Sequence, residues 1–305
     1  MGCNTLNKEE LTALVAEILG QMDPPVKGAD YRPATAGPEP QPTAFHDGDF
    51  VPDITALDLR KLYLTDQPAN KEQFARMKAR TPARLGSGKA GPRYKTLTML
   101  RFRADHAAAQ DAVFSEVDAE FAKKNHLLPT KTCCGSKDEY LTRPDLGRKF
   151  DEHNAKAIKG VIDTPPRVQI VIGDGLSSAA IEANAMDCYH ALADGLKARN
   201  IPTGQPIFVQ YCRVGAGDAI GDITGCELVA VLVGERPGLV TDKSMSIYIT
   251  YRPRTGVLES SRTVISNIHS QGTPAVEAGA YAAELIEKIL QRKVSGVGLH
   301  LEAAQ

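Results

Sequence analysis

The sequence lacks several features that would place a protein in a membrane, on nucleic acid or outside the cell. None of its apolar runs reaches the roughly 18 to 20 residues that a membrane-spanning helix needs. Lys8, Glu9 and Glu10 stand where a secretory signal would carry its apolar segment. Neither charge predominates, because 36 Lys and Arg residues face 37 Asp and Glu residues. We therefore predict a cytoplasmic protein that spans no membrane and binds no nucleic acid.

Motifs for metal binding and for nucleophilic catalysis are missing as well. No two cysteines form a C-x-x-C pair, so no zinc site is predicted. In a reducing compartment we expect free thiols packed as small apolar groups, namely Cys3, Cys133, Cys134, Cys188, Cys212 and Cys226. No Ser-His-Asp or Cys-His arrangement stands out. The sequence thus predicts no catalytic residue and no metal ligand in this chain.

A G-x-G-x-x-G pattern occurs at residues 86–91, but its surroundings do not suit a dinucleotide site. That fingerprint must follow a strand and open a helix, whereas this one runs into Pro92. Between residues 71 and 103 every charged side chain except Glu72 is Lys or Arg. Few aromatic residues accompany these cations and no nucleic-acid recognition fold is visible. An interface with an acidic protein surface is the preferred interpretation.

The first 53 residues are predicted to form a helix followed by a linker. Residues 1–22 place Leu11, Leu14, Val15, Ile18 and Leu19 on one helical face. Residues 23–53 are rich in Pro, Gly and Ala and cannot build a core, so they are predicted to be flexible. A short amphipathic helix needs a partner for its apolar face. It either docks on its own domain or binds another protein by helix-in-groove contact.

The remaining part of the chain, residues 54–305, is long enough to bury a sizeable core. Its sequence pattern changes near residue 164. Residues 54–163 are predicted to be mainly helical, with the basic glycine-rich loop inside them. Helices are expected over 54–80, 104–125 and 152–160, the second because its apolar residues share a face.

Residues 164–305 alternate apolar runs with helical patterns. Strands are predicted over 168–172, 207–214, 228–233, 245–251 and 264–268. Such alternation predicts an α/β, Rossmann-like domain with a parallel sheet and helices on both faces. Ligands of such folds bind beyond the carboxyl ends of the strands. The corresponding loops are 173–177, 213–218, 234–238 and 267–272.

Two of these loops carry polar side chains suited to a ligand. Glu235 and Arg236 follow an apolar strand, although a simple turn held by an internal Glu–Arg pair would give the same sequence. Asn267 and His269 lie near the end of the last strand, where a lone histidine is often a structural residue. With no catalytic constellation visible, the chain reads as a subunit rather than a complete enzyme.

Six segments, in order, resemble the small subunit of ethanolamine ammonia-lyase. They include YLTRPDLGR at 140–148, VIGDGLS at 171–177 and LVGERPGL at 232–239. The others are ARLGSGKAGPR from residue 83, LRFRADHAAAQDAV from residue 100 and ISNIHSQGTPAVEA from residue 265. The resemblance implies a helical N-terminal part and a Rossmann-like C-terminal domain. It also implies a role in converting ethanolamine to acetaldehyde and ammonia by a radical mechanism.

The same resemblance implies that adenosylcobalamin lies between this chain and a large subunit that holds the substrate. It maps three cofactor contacts onto Val214, Glu235 and Val264, all expected at or near strand ends. Val264 stands where relatives can carry cysteine, so a contact that needed a thiol would be lost. The sequence has no D-x-H-x-x-G loop, which fits a base-on cofactor whose cobalt needs no ligand from this chain.

Shell targeting is the implied role of the N-terminal helix, because this pathway is often enclosed in a bacterial microcompartment. The chain is then expected in the microcompartment lumen. Two alternatives stay open from the residues. A nucleotide-dependent oxidoreductase would need a third glycine after the first strand, which the loop at 173–178 lacks. A non-catalytic scaffold protein would bind no cofactor.

Overall fold

The computed structural model of the chain describes residues 53–58, 61–66, 69–81 and 83–301. The predicted helix over 1–22 and the linker over 23–53, apart from Asp53, lie outside the described residues. The rest of the chain, Asp53–Gln305, forms one compact unit. None of the helices in the described part is long and apolar enough to cross a membrane.

In its described part, the segment before residue 164 combines several helices with three short strands. Its first strands, β1 (Lys89–Ala90) and β2 (Arg93–Tyr94), form an antiparallel hairpin. A third strand, β3, spans Leu128–Lys131. The helices are α1 (Lys71–Lys78), α2 (Thr96–Phe114), α3 (Phe121–Lys124), α4 (Lys137–Thr142) and α5 (Glu152–Gly160). The predicted helix at 152–160 is confirmed, whereas the described residues of 54–80 form only the 3-10 turn Ile54–Ala56 and α1.

The single helix predicted over 104–125 is wrong. Helix α2 begins earlier, at Thr96, and ends at Phe114 because Ser115 adopts an extended conformation. The Val117 amide then donates to the buried Asp174 carboxylate at 3.2 Å instead of to a helical carbonyl. A tertiary hydrogen bond thus breaks a segment whose apolar spacing favours a helix.

All five strands predicted after residue 164 are present. They are β4 (Val168–Asp174), β5 (Ile207–Gln210), β6 (Leu228–Gly234), β7 (Met245–Tyr251) and β8 (Arg262–Ile268). The helices among them are α6 (Ser178–Ala198), α7 (Ala216–Thr224), α8 (Ala275–Arg292) and α9 (Val297–Leu301).

Together with β3, these five strands form one six-stranded mixed sheet in the order β3-β5-β4-β6-β7-β8. The first four strands are parallel, but β7 is antiparallel to both β6 and β8. The expectation of a wholly parallel sheet is therefore wrong. Only residues 235–244 join β6 to β7, and a parallel crossover needs about a dozen residues or more. A connection this short returns the chain in the opposite direction.

The sheet is buried at its centre and open on part of one face. Every residue of β4 and β6 is buried, as near-continuous apolar strands require. Helices α6 and α8 cover one face through residues such as Leu192 and Ile286. Helices α5 and α7 cover the other face through Ile158 and Ile220. On that second face Val264 of β8 is 46% exposed, so the surface beyond α7 is accessible.

Candidate functional site

A cavity of about 240 Å³ lies at the carboxyl ends of the parallel strands, lined by Tyr140, Leu176, Cys212, Arg213, Val214, Val233, Gly234, Glu235, Arg236 and Tyr248. The chain leaving β4 enters α6 on one face of the sheet, and the chain leaving β5 enters α7 on the other. Such a switch point opens a crevice between adjacent loops, where α/β proteins bind ligands. Three of the four predicted ligand loops contribute to this cavity.

Close packing of two loops forms one wall of the cavity. The Leu176 amide after β4 donates to the carbonyl of Gly234, the last residue of β6, at 3.1 Å. A Cβ atom on Gly234 would lie 2.0 Å from the Ser177 carbonyl oxygen, so no larger residue fits there without displacing the backbone. The wall therefore fixes where Glu235, the next residue, leaves the sheet.

The Glu235 carboxylate is held from one side. Its Oε1 atom accepts hydrogen bonds from the Ser246 hydroxyl and from the Tyr248 hydroxyl, the latter at 3.2 Å. Its backbone amide donates to the Ser244 carbonyl at 3.0 Å. Glu235 makes these two hydroxyl contacts instead of the ion pair with Arg236 that the sequence also allowed. Burial, and then the nearby Glu235 charge, raises the pKa of Tyr248 to about 12, so the phenol stays protonated and donates.

Val214 lines the same cavity, but from a loop rather than from a strand. The strand predicted to reach Val214 ends at Gln210, because Tyr211 has a positive φ of 59° and turns the chain. Val214 then precedes α7 and packs partly buried against the apolar cluster beneath that helix. The expected position near a strand end is close to correct for this residue.

Val264 does not lie near a strand end, so that expectation is wrong for it. It is the third residue of β8 and pairs with Tyr248 in the middle of β7. Side chains of directly paired residues share one face of a sheet, so Val264 and Tyr248 are neighbours. Because Tyr248 also contacts Glu235, it connects the two predicted site residues across the open face.

Sequence reasoning did not single out Tyr248 or Ser246. A signal was available in the alternation of MSIYITY, which places residues 246, 248 and 250 on one face of β7.

The floor of the cavity comes from helix α4, far away in the sequence. The Tyr140 hydroxyl donates to the Cys212 carbonyl at 3.0 Å. The Arg213 guanidinium lies 4.2 Å from the Tyr140 ring centre and donates to the Tyr140 carbonyl at 2.8 Å. Burial raises the pKa of the Tyr140 phenol. These contacts tie the YLTRPDLGR segment to the loop that carries Val214.

A buried charged pair braces the loops behind the cavity. Asp174, at the end of β4, accepts hydrogen bonds from the Ser178 hydroxyl at 2.6 Å and from the Val117 amide. The Lys137 ammonium lies 4.0 Å from the same carboxylate and donates to the Gly175 carbonyl at 3.2 Å. Burial raises the pKa of Asp174 and lowers that of Lys137. All of these contacts are internal, so the pair positions backbone.

Asn267, near the end of β8, contacts His269, the residue just beyond that strand. The Asn267 Oδ1 atom and the His269 Nε2 atom are 2.8 Å apart, and the Gln271 amide donates to His269 Nδ1 at 3.2 Å. An acceptor at Nδ1 leaves the proton on Nε2, which donates to Asn267. Both ring nitrogens are thus used within the turn, as in the structural alternative for this histidine.

A larger cleft of about 590 Å³ lies between α7 and the β7–β8 connection. Its most buried feature is Arg262, which donates to both Asp218 oxygens at 2.8 and 2.7 Å. None of the three predicted cofactor contacts lines it. We place the candidate site at the smaller cavity and the adjoining open sheet face, because Val214, Glu235, Tyr248 and Val264 converge there.

Comparison with known proteins identifies the family of this chain. The family model for the ethanolamine ammonia-lyase light chain (EutC) matches residues 71–300. A relative in Clostridium perfringens, named ethanolamine ammonia-lyase small subunit, is 52% identical over 294 residues, 96% of this chain and 100% of its own length. A protein of the same name in Lachnoclostridium phytofermentans is 56% identical over 251 residues, 82% of this chain and 85% of its own.

A third relative with that name, from Listeria monocytogenes, is 51% identical over 294 residues and is matched along 100% of its length. Identity at this level over nearly the whole chain leaves the family in no doubt, and the resemblance carried by the six sequence segments is confirmed. This chain belongs to the ethanolamine ammonia-lyase light chain family.

Proposed function

We propose that the chain is the small subunit of an ethanolamine ammonia-lyase that converts ethanolamine to acetaldehyde and ammonia. In this proposal a large subunit holds the substrate, and this chain completes the site for adenosylcobalamin. The names of the relatives support the reaction and imply the partner. The observation that carries the cofactor proposal is the convergence of Val214, Glu235 and Val264 on one open surface, linked by Tyr248.

The residues at this surface suit one side of a large, flat ligand edged with amide groups. The cavity is smaller than the roughly 300 to 1,000 Å³ of enclosed small-molecule pockets, but it opens onto the exposed face of β8. A ligand lying there would be covered on its other side by a second protein. Val214, Val264 and the Tyr248 ring offer apolar contact, and the Glu235 carboxylate offers an acceptor for an amide N–H.

The chain's own residues would bind, orient and shield the cofactor. Glu235 would accept a hydrogen bond from a corrin amide, and the apolar side chains would exclude water from the corrin face. When bound, adenosylcobalamin supplies the radical that takes hydrogen from the substrate. We propose a base-on cofactor whose cobalt takes no ligand from this chain, supported by the absence of a D-x-H-x-x-G loop from the sequence.

The sheet geometry supports a Rossmann-like description of residues 164–305. The parallel strands β5, β4 and β6 are joined through α6 and α7 on opposite faces, and the site lies at their switch point. In our proposal the antiparallel strands β7 and β8 extend this unit and widen the ligand face.

We also propose that residues 1–22 direct the enzyme into a microcompartment by binding its shell. The apolar stripe Leu11, Leu14, Val15, Ile18 and Leu19 supports a helix-in-groove contact. Deleting these residues should leave lyase activity unchanged and abolish co-sedimentation with purified shells. Lost activity with normal co-sedimentation would show that the segment is structural instead.

Mixing the two subunits tests the main proposal. This chain, the large subunit and their mixture are each titrated with adenosylcobalamin and then assayed for acetaldehyde release from ethanolamine. We expect tight cofactor binding and activity only in the mixture, and weaker cofactor binding with Glu235→Ala. Glu277→Ala, an exposed carboxylate on α8 that does not line the cavity, is the control. An inert mixture of two folded subunits would contradict the reaction, and wild-type affinity in Glu235→Ala would contradict the assigned contact.

A further inference from the structure

The hydroxyl groups of Ser246 and Tyr248 both donate to the same carboxylate oxygen of Glu235. Ser246 is fully buried on β7, and Tyr248 is half-buried two residues further along the same strand. Both donate to Oε1 of Glu235, which stands opposite them at the end of β6. Oε2 accepts no hydrogen bond from the described residues.

This arrangement fixes a flexible side chain before any ligand arrives. A free glutamate rotates about three side-chain bonds and loses that freedom when it binds a partner. Two donors on a single oxygen remove most of the freedom in advance and keep the second oxygen available. Pre-organised groups bind more tightly because ordering costs less at the moment of association.

We propose that Tyr248 and Ser246 are positioning residues for the cobalamin site. They hold the Glu235 carboxylate with Oε2 facing an amide of the corrin edge. The Tyr248 ring also fills the gap between Glu235 and Val264, so that one continuous surface receives the ligand. This inference rests on the proposed function, since it needs cobalamin at this surface.

A purely structural role makes a different prediction. If the hydroxyls served only to close the β6–β7 connection, removing one would lower stability and leave the affinity of the folded complex unchanged. The ring of Tyr248 packs against the apolar cluster beneath α7, and phenylalanine would preserve that packing. The Tyr248→Phe substitution therefore removes the hydroxyl donor alone.

Tyr251 offers a matched control on the same strand. It is also partly buried, but it packs in the cluster on the opposite face of the sheet, beneath α6 and α8. The experiment compares Tyr248→Phe, Ser246→Ala, Glu235→Gln and Tyr251→Phe in the complete two-subunit enzyme. Adenosylcobalamin affinity is measured by equilibrium titration and complex stability by thermal unfolding.

We expect Tyr248→Phe to weaken cobalamin binding about tenfold, the scale of one hydrogen bond to a charged group. Tyr251→Phe should bind as wild type, and neither variant should change the melting temperature. When Glu235→Gln is already present, adding Tyr248→Phe should change the cobalamin affinity by less than about twofold. If Tyr248 acts through Glu235, the effects of the two substitutions are not additive in a double-mutant cycle.

Equal cobalamin affinity in Tyr248→Phe and Tyr251→Phe would overturn the inference while leaving the proposed function intact. So would an affinity loss that is fully additive with Glu235→Gln. If the wild-type complex binds no cobalamin, the proposed function fails and the positioning role fails with it. The three results are distinguishable within one titration series.

Discussion

At the scale of single residues, Arg262 and Asp218 form a buried ion pair joined by two hydrogen bonds. Their side chains are 3% and 7% exposed, and the carboxylates of Asp218 and Glu259 raise the pKa of the guanidinium. Asp218→Asn would leave a buried cation short of its main counter-charge. We expect the free energy of unfolding to fall by about 3 kcal/mol, measured by urea denaturation.

The exposed pair of Arg143 and Asp145 serves as the control for this experiment. Asp145→Asn should unfold as wild type does, because solvent-exposed pairs contribute little. An equal loss in both variants would mean that burial does not determine the contribution of these pairs.

Because the Cys212 and Cys188 thiols are buried, we expect the folded protein to lose stability at alkaline pH. Burial raises the pKa of Cys212 and of Cys188 to about 12. Above the ordinary thiol pKa the unfolded chain releases these protons while the folded chain keeps them, so stability falls as pH rises toward 12. Urea unfolding between pH 9.5 and 10.5 should show this slope. In Cys212→Ala the slope should be shallower by about 1.4 kcal/mol per pH unit. An unchanged slope would show that this thiol already ionises in the folded state.

The sequence pointed to Glu235 and Val264 but not to Tyr248, which connects them. Glu235 was noted from its loop after an apolar strand, whereas Val214 and Val264 came only from the family resemblance. Tyr248 escaped notice because its importance depends on pairing with Val264 and on reaching Glu235, and both contacts cross strands. Tyr140 and Arg213 escaped for the same reason, since 73 residues separate the partners of their hydrogen bond.

At the scale of elements, the packing of α6 on α8 depends on glycine at the contact. A Cβ atom on Gly279 of α8 would lie 2.3 Å from the Cys188 carbonyl of α6. Gly279→Ala should force the two helices apart and lower the free energy of unfolding by about 1 to 3 kcal/mol, despite the better helix propensity of alanine. Thermal and urea unfolding measure the change.

Gly160, the last residue of α5, provides the opposite case. A Cβ atom there meets nothing within 4 Å, so Gly160→Ala should stabilise the chain by up to about 1 kcal/mol. If both alanine variants behaved alike, propensity rather than packing would control these helices.

The sequence predicts the strands that are apolar runs. It does not predict a strand that forms only because of its tertiary contacts. The composition of β4 to β8 predicts strands, but their direction follows from the length of the connections between them. Strand β3, LPTK, carries Pro129 and no apolar run, so composition gives no signal for it. It exists because its backbone pairs with β5 and Thr130 donates to the Phe208 carbonyl at 2.8 Å.

At the scale of the whole molecule, the basic segment at 71–103 divides into internal and external cations. Arg84 lies 2.6 Å from Asp105, stacks 4.6 Å from Phe102 and donates to the Leu239 carbonyl. It therefore anchors the segment to the loop beyond Glu235 rather than meeting a partner. Arg93, in the hairpin, is exposed.

This division sharpens a test for the subunit interface. If the exposed cations meet an acidic surface of the large subunit, Arg93→Glu should weaken association about tenfold or more and make it less sensitive to salt. Sedimentation or surface plasmon resonance at two ionic strengths measures this. Arg84→Glu should instead lower the melting temperature of the isolated chain. Wild-type association of Arg93→Glu would place the interface elsewhere.

The position of β3 at the edge of the sheet has a consequence during synthesis. The ribosome releases β3, which ends at Lys131, well before β5 begins at Ile207, and no other strand in the described part pairs with β3. Until then its backbone is free to pair with strands of other nascent chains. Pro129 removes one N–H donor from the middle of this short strand. Pro129 thus makes β3 hard to recognise in the sequence, and it also makes β3 less able to pair with a strand of another nascent chain.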